Sequence, residues 1–184
     1  MVIHQLTQLP DGRLAVKAPD SLEDIFVKNI KLSKEDIKDE YELKAQEDTI
    51  SVISLGEREN QMMVEFDVTL EGEGYAGLGF ESGDDYDKYT GLVLNSKNQS
   101  VHYEGCVLSR LPYVEPLIYT DYYFEPGKKN HIKIIMENEI VITYINDTKA
   151  LSTRVYKSEE GRNLILYSCK TDCRFENIEI KMPK

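Results

Sequence analysis

From Met62 to Leu70 every second residue is apolar. Met62, Val64, Phe66, Val68 and Leu70 take one side, while Glu65, Asp67, Thr69 and Glu71 take the other. A repeat of two is the period of an extended strand with one face turned to a core, and a helix cannot satisfy it. A strand of this kind needs a sheet around it and a second layer beneath it. The same signal recurs down the chain. Gly72-Glu73-Gly74 turns into Tyr75–Phe80, where Ala76, Leu78 and Phe80 share a face, and Ser82-Gly83-Asp84-Asp85 turns again before Thr90–Leu94. Asn95-Ser96-Lys97-Asn98 then leads to Ser100–Glu104.

After a looser stretch from Pro112 to Gly127, alternation returns at Ile132, Ile134 and Met136, and Glu137-Asn138-Glu139 is a turn. Ile140, Ile142 and Tyr144 face one way and Val141, Thr143 and Ile145 the other, so this strand is apolar on both sides and belongs inside a sheet. Asn146-Asp147-Thr148 turns into Leu151–Tyr156, and Arg162–Tyr167 and Arg174–Lys181 follow. Phe175 is out of phase with Ile178 and Ile180, which predicts a bulge near Glu176-Asn177. Roughly ten to twelve antiparallel strands with turns this frequent predict an all-β fold, a two-sheet sandwich of the concanavalin-like jelly-roll kind.

The beginning of the chain reads differently. Asp11-Gly12 marks a hairpin between Gln5–Leu9 and Arg13–Val16, and Pro19-Asp20 breaks the chain. Ser21 and Asp24 form a capping box for a short helix through Val27, and Ser33 can start a second capped turn. Residues 1–29 are therefore expected to be a connector and 30–184 the sandwich domain. The connector carries Leu9, Leu14, Val16, Leu22, Ile25, Phe26 and Val27, many apolar side chains for a segment with so little structure to bury them.

Charge narrows the partners. With 22 Lys+Arg against 33 Asp+Glu the chain carries a formal charge of −11, and no basic run exceeds the pair Lys128-Lys129. Nucleic acid and anionic membrane surfaces are thereby disfavoured. No stretch approaches the roughly 18 apolar residues of a membrane span, and Met1–Leu6 is too short and uncharged for a signal peptide. Cys106, Cys169 and Cys173 are an odd, sparse set that reads as free thiols, although Cys169 and Cys173 flank one turn where a bridge is conceivable. The absence of a disulfide pattern favours the cytoplasm. His4, His102 and His131 offer no ligand pair at zinc spacing, so no metal and no other cofactor is expected.

Glu65, Asp67 and Glu71 place three carboxylates on one strand face, as some sandwich glycosidases do. Neighbours at i and i+2 lie about 6.5–7 Å apart at Cα, within reach of the right separation, but the third member is too far along and no aromatic platform accompanies it. A solvated polar face is the simpler account, and no catalytic residue is assigned. Asp84-Asp85-Tyr86-Asp87 lacks the order of a calcium loop. Tyr119, Tyr122 and Tyr123, with Phe124, crowd one loop, where aromatic faces can stack on sugar or simply fill the margin of a core. These three tyrosines are the sugar-binding candidates. Asn98-Gln99-Ser100 and Asn146-Asp147-Thr148 fit the glycosylation pattern, which has meaning only in a secretory context.

Several short runs together resemble the C-terminal β-sandwich of glycoside hydrolase family 32, the β-fructosidases. His4-Gln5-Leu6 followed by Pro10-Asp11-Gly12-Arg13-Leu14 and Pro19 is similar to the stretch that leaves the family's five-bladed propeller. Tyr89-Thr90-Gly91-Leu92 resembles its Tyr-Thr-Gly-Ile strand. Glu137 to Asp147 falls where the family has Asp-Arg-Ser-x-Val-Glu-Val-Phe-Val-Asn-Asp, with Ile142 in place of Glu and Glu139 in place of Ser, and Val155-Tyr156 matches its Arg-x-Tyr close. The family's nucleophile, transition-state stabiliser and acid/base lie in propeller motifs, and this chain has no Trp, no Arg-Asp-Pro and no Glu-Cys pair. The resemblance implies a non-catalytic sandwich whose partners are an upstream propeller of the same protein and, at times, a second copy. A free-standing carbohydrate-binding module that takes its ligand at the Tyr119–Phe124 loop is the reading from another class.

Overall fold

The computed structural model describes residues 4–32, 37–45, 50–82, 88–107, 118–155 and 161–184. Among them are fifteen strands and one helical turn. One sheet has six strands. In spatial order they are Ile118–Asp121 (β10), Ser100–Val107 (β9), Lys88–Asn95 (β8), Tyr75–Ser82 (β7), Asn163–Cys169 (β14) and Ile50–Glu57 (β5). The second has seven: Lys149–Arg154 (β13), Ile140–Ile145 (β12), Lys129–Glu137 (β11), Gln61–Leu70 (β6), Cys173–Pro183 (β15) and Phe26–Asn29 (β3), with Glu40–Leu43 (β4) also paired to β15. Every pairing is antiparallel. This is the two-sheet sandwich expected from the alternation.

The core lies between the sheets. Val64, Phe66 and Val68 of β6 and Ile132, Ile134 and Met136 of β11 meet Leu78 and Phe80 of β7 and Leu92 and Leu94 of β8, all fully buried. Phe66 and Phe175 pack edge to face with ring centres 5.5 Å apart. Tyr103, fully buried, spans the sheets to hydrogen-bond the Thr143 hydroxyl at 2.6 Å, and burial pushes its phenol well up.

Turn chemistry fixes the registers. Between β12 and β13, Asn146 and Asp147 both take positive φ (48° and 52°), and the Thr148 N–H closes the turn on the Ile145 carbonyl. Asn and Asp tolerate that conformation, which matches the twist of the flanking strands. Asn138 (φ 56°) does the same between β11 and β12. On β15 the register against β6 shifts between Glu176 and Glu179 with Asn177 at φ 53°, the expected bulge. Gly77 answers a different demand. A Cβ there would lie 1.9 Å from the Leu92 carbonyl oxygen and 2.9 Å from the Tyr167 hydroxyl, which itself donates to that carbonyl at 3.1 Å.

The start of the chain forms a third layer. Gln5–Gln8 (β1) and Leu14–Lys17 (β2) make the expected hairpin, and Leu22–Ile25 is a single helical turn, α1. Three expectations need correction. Ser21 is itself helical (φ −63°, ψ −14°) and makes no side-chain cap bond. The helix stops at Ile25 instead of running through Val27, because Phe26–Asn29 pairs with β15 as β3. The strand total exceeds ten to twelve because short segments such as β3, β4 and β10 are drafted by neighbours, with little alternation of their own. Ala18, Leu22 and Phe26 pack on Met63, Ile135, Ile142 and Tyr144, the outer face of the seven-stranded sheet. That is why β12 is apolar on both sides. The turn placed at Ser33, residues 83–87 of the turn and acidic run after Ser82, and Tyr156 lie outside the described residues.

Candidate functional site

The carboxylates of β6 are the groups that a sandwich glycosidase would use. Glu65 and Asp67 project to the outer face, but the expected solvated face is not what forms: their side chains are 12% and 17% exposed. β11 and β15 flank β6 and bring cations to both. Lys133 Nζ lies 2.8 Å and Lys181 Nζ 3.2 Å from Glu65, and His131 bridges Asp67 at 3.0 Å and Glu65 at 3.8 Å. Asn177 donates to Asp67 at 2.8 Å, and Lys129 links Asp67 to Glu176. From α1, Glu23 reaches Lys133 at 2.6 Å and Lys181 at 3.7 Å, so the network also fastens the third layer to the sheet.

This electrostatic setting decides what the carboxylates can do. Burial pushes Glu65 up, yet the facing His131 and the close Lys133 with its charge overcome it and hold the group at about 2. Asp67 is likewise raised by burial but lowered overall by Asn177 and His131. A glycosidase acid must keep its proton near neutrality. Neither group can. The pair is a structural ion lattice, and the geometry gives it no acid/base role.

The three candidate tyrosines separate. Tyr122 is half-buried, its ring 4.9 Å from that of Phe124, which is buried in the core. Its hydroxyl donates to Asn130 Oδ1 at 3.2 Å and accepts from Asn146 Nδ2, which leaves it a brace of the β12–β13 turn. Tyr119 and Tyr123 are 63% and 73% exposed. Tyr119 stands opposite His102 in the β10–β9 register, so both point to the outer face of the six-stranded sheet. There His102 Nε2 lies 3.1 Å from the buried carboxylate of Glu104. This buried polar pair was missed in the sequence, where the only signal is an i, i+2 spacing on one strand face.

Cys169 and Cys173 are free and buried, and burial raises both thiols. Among the described residues no group of three or more His, Cys, Asp or Glu could hold a metal ion. No helix among them is long and apolar enough to cross a membrane.

A different kind of surface lies beside the third layer. Two adjoining cavities of about 660 and 780 Å³ share His4, Ile135 and Glu137 and run from α1 to the β11–β12 turn. Their floor is largely apolar, with Phe26, Ile135, Met136 and Ile142. At their margins Ile25 (47%) and Ile140 (43%) stand exposed, and elsewhere on the connector so do Leu6 (64%), Leu14 (69%) and Val27 (47%). The connector's apolar residues are thus divided: Leu22 and Phe26 are buried on their own sheet and Val16 packs against them, while Leu6, Leu14, Ile25 and Val27 are exposed.

The architecture defines a class, the two-sheet antiparallel sandwich module. No family model matches the sequence, and no curated protein matches it. Comparison of folds is more specific. The carbohydrate binding module CBM66 from Bacillus subtilis superposes at a TM-score of 0.59 with 13% identity, covering 97% of this chain and 92% of that one. A fructosyltransferase from A. japonicus matches at 0.68 and 11% identity over 97% of this chain and 31% of its own. An exo-inulinase from Aspergillus awamori matches at 0.63 and 11% identity over 98% and 34%. The chain spans about a third of the length of these enzymes. The resemblance read in the sequence is therefore met at the level of fold: the chain has the fold of the C-terminal sandwich of the fructosidase-type enzymes.

Proposed function

We propose that this chain is the non-catalytic β-sandwich of a family 32 β-fructosidase, residues 30–184 forming the module and 1–29 the connector from a propeller that carries the chemistry. The observation that carries this reading is the fold match over 97% of the chain to one third of a fructosyltransferase. The cation-quenched state of Glu65 and Asp67 supports it, since the sandwich's own carboxylates are committed to structure. Its role is to steady the propeller and to furnish contacts between copies. The substrate class of the whole enzyme is then a β-fructoside such as sucrose or a fructan. The test is to express the chain alone and the full reading frame that contains it, and to assay fructose release from sucrose, levan and inulin. Release by the longer protein and none by the chain alone is the expected result. Release by the chain alone, abolished by Glu65→Gln, would overturn it.

A second reading has its own support. A carbohydrate-binding module is matched over nearly the whole of both chains, Tyr119 is exposed opposite His102, and Tyr123 is exposed as well. Calorimetric binding of levan or inulin by the isolated chain, lost in Tyr119→Ala, would favour it.

A further inference from the structure

Two arginines stand side by side at one end of the sandwich, between its sheets. β5 and β14 pair as far as Glu57 opposite Asn163, and one step beyond, the Arg58 N–H donates to the Arg162 carbonyl at 2.9 Å. The two residues therefore face each other across the ladder, and like charges so placed repel. Counting by twos from core-facing Leu164, which pairs with Gly56, both side chains fall on the inner side of the six-stranded sheet. Arg58 Nη1 accordingly reaches the β11–β12 turn of the opposite sheet, where it donates to the Asn138 carbonyl at 3.4 Å, and it also donates to the Glu59 carbonyl at 3.3 Å. Arg58 is 3% exposed. Arg162 is half-buried and gives Nη2 to Asn60 Oδ1 at 2.9 Å, but its Nε is shut from solvent with no hydrogen-bond partner. Among the described residues no other buried side-chain nitrogen or oxygen is left so. Nearly every buried polar group in a folded protein is paired, so an orphan at the edge of a cavity asks for an acceptor.

A cavity of about 380 Å³ lies against both arginines, within the size range of small-molecule sites. Its other walls are Ile30, Lys31, Leu32, Glu57, Glu59 and Met182. Gly56 sets one of them. At its φ of 110° a Cβ would come within 2.5 Å of the Leu32 backbone, so only glycine lets the chain beyond β3 lie this close to β5. Three cations and two carboxylates line the cavity, which leaves room for one more negative charge, and Ile30, Leu32 and Met182 add an apolar side. A guanidinium holds a carboxylate through two parallel N–H···O bonds, and Nε with a terminal nitrogen is one such fork. We infer that this cavity binds a small organic acid, its carboxylate held by Arg162 beside the charge of Arg58 and its short aliphatic body laid on Ile30, Leu32 and Met182. On binding, the Arg162 guanidinium turns so that Nε joins a terminal nitrogen on the ligand, while Arg58 keeps its place through the two carbonyls. A fructoside carries no charge, so this site adds a second class of ligand and does not depend on the function proposed above.

The experiment titrates the 184-residue chain, labelled with nitrogen-15 at arginine, with butyrate at constant ionic strength and follows the assigned Nε–H resonance of Arg162. The resonance should move saturably, with half the change at about 1–10 mM, as a few good contacts to a small ligand allow. Butyramide, the neutral isostere, should leave it in place. Arg162→Lys keeps the charge but not the fork, so it should melt within about 2 °C of wild type and bind butyrate at least about tenfold more weakly by ligand-observed resonance. Should that variant not fold, the comparison of butyrate with butyramide on the wild type decides alone. No saturable movement up to about 100 mM butyrate, an equal response to butyramide, or unchanged affinity in a folded Arg162→Lys would overturn the assignment. Inorganic phosphate or chloride acting as strongly as butyrate would overturn it in favour of a site for any anion. None of these results touches the proposed function.

Discussion

Replacing Asn146 by Ala should be among the most damaging changes available outside the core. The Asn146 side chain makes three hydrogen bonds: Oδ1 accepts the His131 N–H at 2.7 Å, while Nδ2 donates to Asn130 Oδ1 at 3.0 Å and to the Tyr122 hydroxyl. Each such bond contributes about 0.5–1.5 kcal/mol net. Alanine must also hold φ at 48°, at a cost of about 1 kcal/mol that asparagine largely avoids. Allowing for water reaching this half-buried site, the loss should be about 2–4 kcal/mol, a substantial part of the roughly 5–15 kcal/mol that holds a domain together. For a chain of this size that is a fall in melting temperature of about 5–15 °C. Glycine at 146 loses the same three bonds but adopts positive φ freely, so Asn146→Gly should recover about 1 kcal/mol relative to alanine. Urea unfolding of the three proteins measures all of this. An alanine variant within about 0.5 kcal/mol of wild type, or a glycine variant worse than alanine, would refute the account of both the side chain and the backbone.

Other consequences are equally direct. His131 holds its proton more tightly folded than unfolded, chiefly through Glu65, so its contribution is complete below its ordinary value of 6.5 and is lost as pH rises through the higher folded value. The stability advantage of wild type over His131→Gln should shrink across that window, and a difference independent of pH would contradict the network. Glu65, at about 2 against an ordinary 4.5, contributes above pH 4.5 and ceases to do so as pH falls through about 2, so Glu65→Gln should narrow its deficit in acid. Gly77→Ala should fail to yield soluble folded protein, since its Cβ would meet a backbone oxygen at 1.9 Å; Gly12→Ala, with open space around it, should lose only about 1 kcal/mol by thermal melt.

What the sequence made legible was local. The alternation of β6, the doubly apolar β12, the Asn-Asp turn and the β15 bulge are each written in fewer than a dozen neighbouring residues. What stayed hidden depends on strands that only the topology unites. Glu65 reads as a wet carboxylate until Lys133 and Lys181, from β11 and β15, are laid on either side of it. Tyr122 reads as a stacking surface until Asn146 claims its hydroxyl from the far end of the β12 strand. The Ser21 capping box failed because a lone helical turn between Pro19 and a strand leaves no room for a separate cap residue. The hairpin was legible as a hairpin, whereas the direction its leucines face depends on which side the sandwich lies.

The pairing of β3 and β4 with β15 also has a consequence for how the molecule comes into being. The first strand of the larger sheet, Phe26–Asn29, finds its neighbour only at Lys181–Pro183, at the very end of the described chain. At about 5–20 residues per second, a ribosome takes roughly 10–30 s to make the intervening stretch. Until then β3 and β4 have no strand to join, and β6 lacks its second flank. Pairings this distant in sequence also form slowly once available, on a scale of milliseconds to seconds. The larger sheet can therefore close only after every strand of the six-stranded sheet has been made.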